Sequence, residues 1–129
     1  MSMIKIESRF LMISKSKKVL HILGALNVGG AETMVMNVYK NIDFNKVKFD
    51  FIVNGPEVGY YEKEIDLINS KIYHITKRSD SWIKHLKDIF FIIKNEKYDT
   101  IHYHTENSFL AFADLFVCKL AGASNLIVH

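Results

Sequence analysis

The chain has 129 residues, the size of a single domain, and its 49% hydrophobic content is enough to build a core. One Pro and six Gly exclude a collagen-like or low-complexity chain, and a formal net charge of +3 is too mild to point to nucleic acid. A lone cysteine, Cys118, cannot form an internal disulfide, and no apolar run reaches the roughly 18 residues of a membrane span.

Residues 1–16 carry charges at Lys5, Glu7 and Arg9 ahead of a short apolar stretch, with no small-residue cleavage site after it. They read as a disordered lead-in and not as a signal peptide. Val19–Leu23 is an apolar run stopped by Gly24 and reads as a buried strand. Leu26–Gly30 is a loop. A helix over Ala31–Tyr39 follows, with Met34, Val35 and Val38 at helical spacing.

Val47–Val53 alternates and is β-branched and aromatic, as a strand should be, and Asn54-Gly55-Pro56 breaks it. Tyr61–Ile68 reads as a short helix and Lys71–Ile75 as a third strand. Ser81–Lys97 is the longest helical signal, with Ile83, Leu86, Phe90 and Ile93 as its apolar seam. Ser79, Asp80 or Ser81 can cap it. Thr100–Tyr103 is a fourth strand. Phe109–Leu120 is apolar all round except at Asp114 and Lys119, which suggests a helix packed deep in a larger assembly. Gly122 stops it, and Leu126–Val128 is a fifth strand.

This alternation predicts a doubly wound parallel sheet in three α/β/α layers, a Rossmann-like fold. A strand order of 3-2-1-4-5 would open a crevice between strands one and four. Gly24–Gly30 and His104–Ser108 would line it. A chain that stops directly after a strand reads as a domain over residues 17–129, cut short at its C-terminal end.

Several motifs bear on chemistry. A strand followed by Gly24-x4-Gly29-Gly30 and then a helix is anion-site geometry, because free N–H groups at a helix start can face a ligand. A P-loop is excluded, since Gly30 and Ala31 stand where Lys and Ser/Thr are needed. A dinucleotide fingerprint is excluded because position 26 is Leu. What remains is a diphosphate or sugar contact, or a plain tight turn. Glu32, in the first helical turn, either favours the helix dipole or accepts from a sugar hydroxyl.

His102 and His104 share one face of a strand. His104 should reach the crevice, with His102 one layer deeper as a core histidine. A zinc site using His102, His104 and His129 is the alternative, but no carboxylate stands in a suitable place and no metal is expected. Thr105 to Ser108 reads as a helix cap and as a polar sugar-binding loop. Lys84, Lys87, Lys94 and Lys97 make the third helix basic and amphipathic. It is either a solvated core helix or a surface for an anionic membrane. Cys118 is packing, and no G-x-S-x-G elbow supports serine catalysis.

Lys18–Leu23 with Asn27–Asn37 resembles the opening of family 4 glycosyltransferases, closest to those that build bacterial capsular and exopolysaccharides. The resemblance continues at Phe49–Val53, Lys71–Ile75, Tyr98–His104 and Lys119–Ala123, and covers nearly everything from Lys17 to His129. It implies the N-terminal, acceptor-side half of a GT-B enzyme that transfers a sugar with retention from a nucleotide-sugar donor to a glycan or lipid-linked acceptor.

In that family the donor is held mainly by a C-terminal domain that this chain does not contain, so the chain alone is expected to be inactive. The resemblance implies donor or acceptor contacts at Gly29, Gly30 and His104, to which the residue chemistry adds Glu32 and Asn107 as candidates. No cofactor and no nucleic-acid partner are expected, the location is expected to be cytoplasmic, and the basic third helix offers a peripheral contact with the inner face of the membrane as an option. The resemblance assigns no catalytic residue. The alternative is a non-catalytic nucleotide- or glycan-binding or interaction module.

Overall fold

A computed structural model describes residues 17–67, 70–105 and 108–129. Strands and helices alternate along it: β1 Lys17–Leu23, α1 Gly30–Tyr39, β2 Val47–Asn54, α2 Glu62–Leu67, β3 Ile72–Ile75, α3 Trp82–Glu96, β4 Thr100–Tyr103, α4 Ser108–Leu120 and β5 Asn125–Val128. The sheet is fully parallel with order β3-β2-β1-β4-β5. The fold is therefore the predicted α/β doubly wound one.

Strand pleating sorts the core into two layers. On one face Leu20, Ile22, Ile52, Ile75, Ile101 and Tyr103 pack against Ile89 and Ile93 of α3 and against Ala111 and Cys118 of α4. On the other face Leu23, Phe49, Phe51 and Val53 pack against Val35, Met36 and Tyr39 of α1 and Ile65 of α2. Each fully buried aliphatic side chain of this kind contributes about 1.5–3 kcal/mol of apolar transfer energy.

The helix ends follow from local chemistry. Ser81 is the N-cap of α3, its hydroxyl accepting from the Lys84 amide at 3.3 Å. Lys97 closes the helix in the left-handed region at φ 53°, its amide bonded to Ile93. Gly122, at φ 104°, takes the left-handed position after α4.

Two expectations about helix faces are corrected, those for α1 and α3. In α1 the buried stripe is Val35, Met36 and Tyr39, while Met34 and Val38 are exposed, because the helix rests on Phe49 and Phe51. In α3 the inward row is His85, Ile89 and Ile93, and Ile83 lies in solvent. The row turns this way because His85 is drawn in by polar partners, described below. In α4 Ala111, Asp114 and Cys118 face inward, while Phe109, Phe112, Phe116 and Leu120 are exposed. The one acidic residue of that helix is thus buried and its phenylalanines are outside.

Candidate functional site

The chain runs from β1 outward to β3, then returns to the other side of β1 for β4. The loops after β1 and β4 therefore diverge, and a cleft of about 700 Å³ opens at the carboxyl ends of the strands. The glycine loop lines one wall, from Gly24 through Gly30 into Ala31 and Glu32. Tyr103, His104 and Thr105 line the other, with Arg78, His85 and Asp114 at the end.

The glycine loop is held rigidly. The Gly24 carbonyl accepts from the Asn54 amide at 3.0 Å, and the Leu26 carbonyl accepts from the Tyr61 amide at 2.9 Å. Asn27 Oδ1 accepts from the Tyr60 amide at 3.0 Å, and Thr33 shares a hydrogen bond with the Tyr61 hydroxyl. Leu26 itself is fully buried. Gly29 is the N-cap of α1 in extended backbone, and no side chain caps the helix. The N-terminal end of α1, the positive end of its dipole, borders the cleft.

The predicted residues divide as follows. Gly29, Gly30, Glu32 and His104 all line the cleft. The Glu32 carboxylate folds back over Gly29, where an added Cβ would come within 2.5 Å of Oε2. Gly30 is unobstructed: nothing lies within 4 Å of a Cβ placed there. Asn107 and residues 1–16 lie outside the described residues. The His104 imidazole turns inward, with Nε2 paired to His21 Nδ1 at 3.2 Å and Nδ1 buried without a partner among the described residues.

His21 was overlooked in the sequence because it sits inside an apolar strand and looks like a core position. It stands in register opposite His102, and the rings of His21, His102 and His104 form one stack on the α1 side of the sheet. Burial, reinforced by the neighbouring imidazoles, pushes His21 down to about 3 and His104 down to about 4. Burial and then His129 lower His102 as well. All three are neutral imidazoles at physiological pH.

A second polar cluster also escaped the sequence reading. Asp114 is 1% exposed and is approached by Arg78, Tyr103 and His85. His85 Nδ1 donates to the Thr76 carbonyl at 2.8 Å, so its Nε2, 3.2 Å from both Asp114 oxygens, is the atom that faces the carboxylate. Burial works to raise the Asp114 carboxyl, but His85, Tyr103 and Arg78 outweigh it and hold it below the usual carboxylate range. Arg78 is the cation of the cleft lining among the described residues. Burial, with Asp114 nearby, pushes the Cys118 thiol up to about 12, which leaves it unreactive as expected of packing.

The outer face of α3 carries Lys84, Lys87 and Lys94 with exposed Trp82, Ile83 and Phe91. Among the described residues no helix is long and apolar enough to cross a membrane.

A protein of Bacillus subtilis (strain 168) named "Putative glycosyltransferase EpsF" is 32% identical to this chain over 124 residues. The match covers 92% of the chain and 31% of the relative, so the chain spans under a third of that protein's length. No protein-family profile matches the chain, and no solved structure matches it.

Proposed function

We propose that this chain is the N-terminal, acceptor-side domain of a retaining family 4 glycosyltransferase with GT-B architecture. In this reading the whole enzyme moves a sugar from a nucleotide-sugar donor to a glycan or lipid-linked acceptor during cell-surface polysaccharide synthesis. The observation that carries the proposal is the cleft at the β1/β4 switch point. A rigid glycine loop and an uncapped helix start form one wall of it, in a chain similar along nearly its whole length to a protein named as a glycosyltransferase.

The chemistry follows from the cleft. Backbone N–H groups around Gly29 and Gly30 stabilise the negative charge that grows on the leaving diphosphate as the glycosidic bond to it breaks. Glu32 accepts from a sugar hydroxyl, His104 stands on the facing wall, and Asn107 is a further candidate contact. A second domain closes over the donor and excludes water, so the chain alone does not turn over. The work is placed at the cytoplasmic face of the membrane, where the lysines and exposed aromatics of α3 meet anionic headgroups.

The test is a transfer assay on this chain joined to a matching C-terminal domain, run against a panel of nucleotide sugars. Sugar transfer with retained anomeric configuration supports the reading. Inversion, or tight ligand binding with no product from any donor, replaces it with another mechanism or with a binding module.

A further inference from the structure

We propose that His21, His102 and His104 form a binding site for a borderline divalent transition cation of the zinc class, set between β1 and β4 behind the cleft. This goes beyond the sugar-transfer reading and does not depend on it.

The geometry comes from the register of the sheet. His102 and His104 are two apart on β4 and so project from one face, and His21 of β1 stands directly opposite His102. One ligand atom from each imidazole lies within 4.8 Å of the other two. A tetrahedral zinc ion with bonds of about 2.0–2.1 Å needs its nitrogens about 3.4 Å apart. His21 Nδ1 and His104 Nε2 are already 3.2 Å apart, and the two pairs with His102, at no more than 4.8 Å, need to close by at most about 1.4 Å.

The chemistry of the donor set agrees. His21 is 4% exposed and His104 9%, and His21 Nδ1 and His104 Nε2 face each other away from solvent. Neutral imidazoles are the form that ligates metal, and a set of three nitrogens with no carboxylate suits zinc, copper or nickel over magnesium or calcium.

Phe49 and Phe51 pack against the His21 ring at 4.3 and 5.7 Å and fix its orientation. His104 lines the cleft, which provides the route in and room for a fourth ligand. His129, with its ring 5.9 Å from His102 and 6.0 Å from His104, closes the group on the β5 side. The trio weighed from the sequence had His129 as its third member, and the fold supplies His21 in its place.

The experiment is calorimetric titration of untagged, chelator-treated protein with Zn²⁺ alone, followed by Co²⁺ in place of zinc. The proposal expects about one zinc per chain and a visible absorption spectrum of nitrogen-ligated cobalt. It expects His102→Gln and His104→Gln, checked for folding by circular dichroism, to weaken binding at least tenfold. His74→Gln should leave binding unchanged. Absence of stoichiometric zinc and of a cobalt spectrum in the wild-type chain would overturn the site. So would zinc binding that both His102→Gln and His104→Gln leave intact.

Discussion

Gly59 lies against the carbonyl of Leu26, so close that a Cβ at Gly59 would come within 2.6 Å of that oxygen. The adjacent amides of Tyr60 and Tyr61 bond Asn27 and Leu26, so residues 59–61 form a clasp on the glycine loop. The obstructing atoms are backbone and cannot swing aside. Gly59→Ala should therefore destabilise the chain by about 1–3 kcal/mol, the usual cost of overpacking. Urea denaturation would measure the loss, and an unchanged midpoint would show that the clasp is slack.

Asp114 offers a sharper test of the buried polar cluster. Removing its carboxylate by Asp114→Ala leaves the Arg78 guanidinium without its buried partner. Breaking a buried ion pair from one side costs about 3–5 kcal/mol. A marginally stable domain should then be largely unfolded by circular dichroism. Asp114→Asn retains one acceptor and should lie between the two. An Asp114→Ala protein as stable as the parent would mean that the cluster is not built as described.

Acid stability follows from the three lowered histidines. In the unfolded chain an imidazole takes a proton near pH 6.5, whereas His104 does so only at about 4 and His21 at about 3. Between those values the unfolded state binds more protons, so stability rises with pH and is lost as pH falls. Asp114, lowered by its partners, adds stability that is also lost in acid. His74 opposes them. Burial disfavours its charged form, but the Gly55 carbonyl and Glu62 raise it overall, so its contribution is present in acid and lost as pH rises. The urea midpoint, measured with chelator present, should be clearly lower at pH 5 than at pH 7.5. An equal or higher midpoint at pH 5 would contradict the neutral histidine stack.

The exposed face of α3 makes a prediction about surfaces. Vesicles containing anionic lipid should retain the chain, and neutral vesicles should not. Replacing Lys87 and Phe91 together with Glu should release it, since each lysine near such a surface is worth about 1 kcal/mol. Equal binding to both vesicle types would remove the membrane from the account.

The fold was legible because its signals are local. Apolar runs broken by Gly24, Gly55 and Gly122 mark the strand and helix ends, and Ser81 is a cap visible in the sequence. Helix faces were less legible. Met34 and Val38, or Ile83, look as buriable as their neighbours until the sheet beneath them is known. The polar clusters were least legible, because His85 and Asp114 are 29 residues apart and His21 and His104 are 83 apart. A single Asp in an otherwise apolar helix, and a single His in an apolar strand, were the available signals. Both mark buried polar residues that must find partners.

The central claim is that the glycine loop holds the donor and is more than a tight turn. Gly30→Val tests it directly, because a Cβ placed at Gly30 meets nothing within 4 Å among the described residues and lies beside the cleft. The measurement is the initial rate of sugar transfer by the chain joined to a matching C-terminal domain, wild type against Gly30→Val, with thermal unfolding recorded for both. The account predicts at least a tenfold slower rate with little change in unfolding temperature. Equal rates would contradict it and leave the loop as a turn.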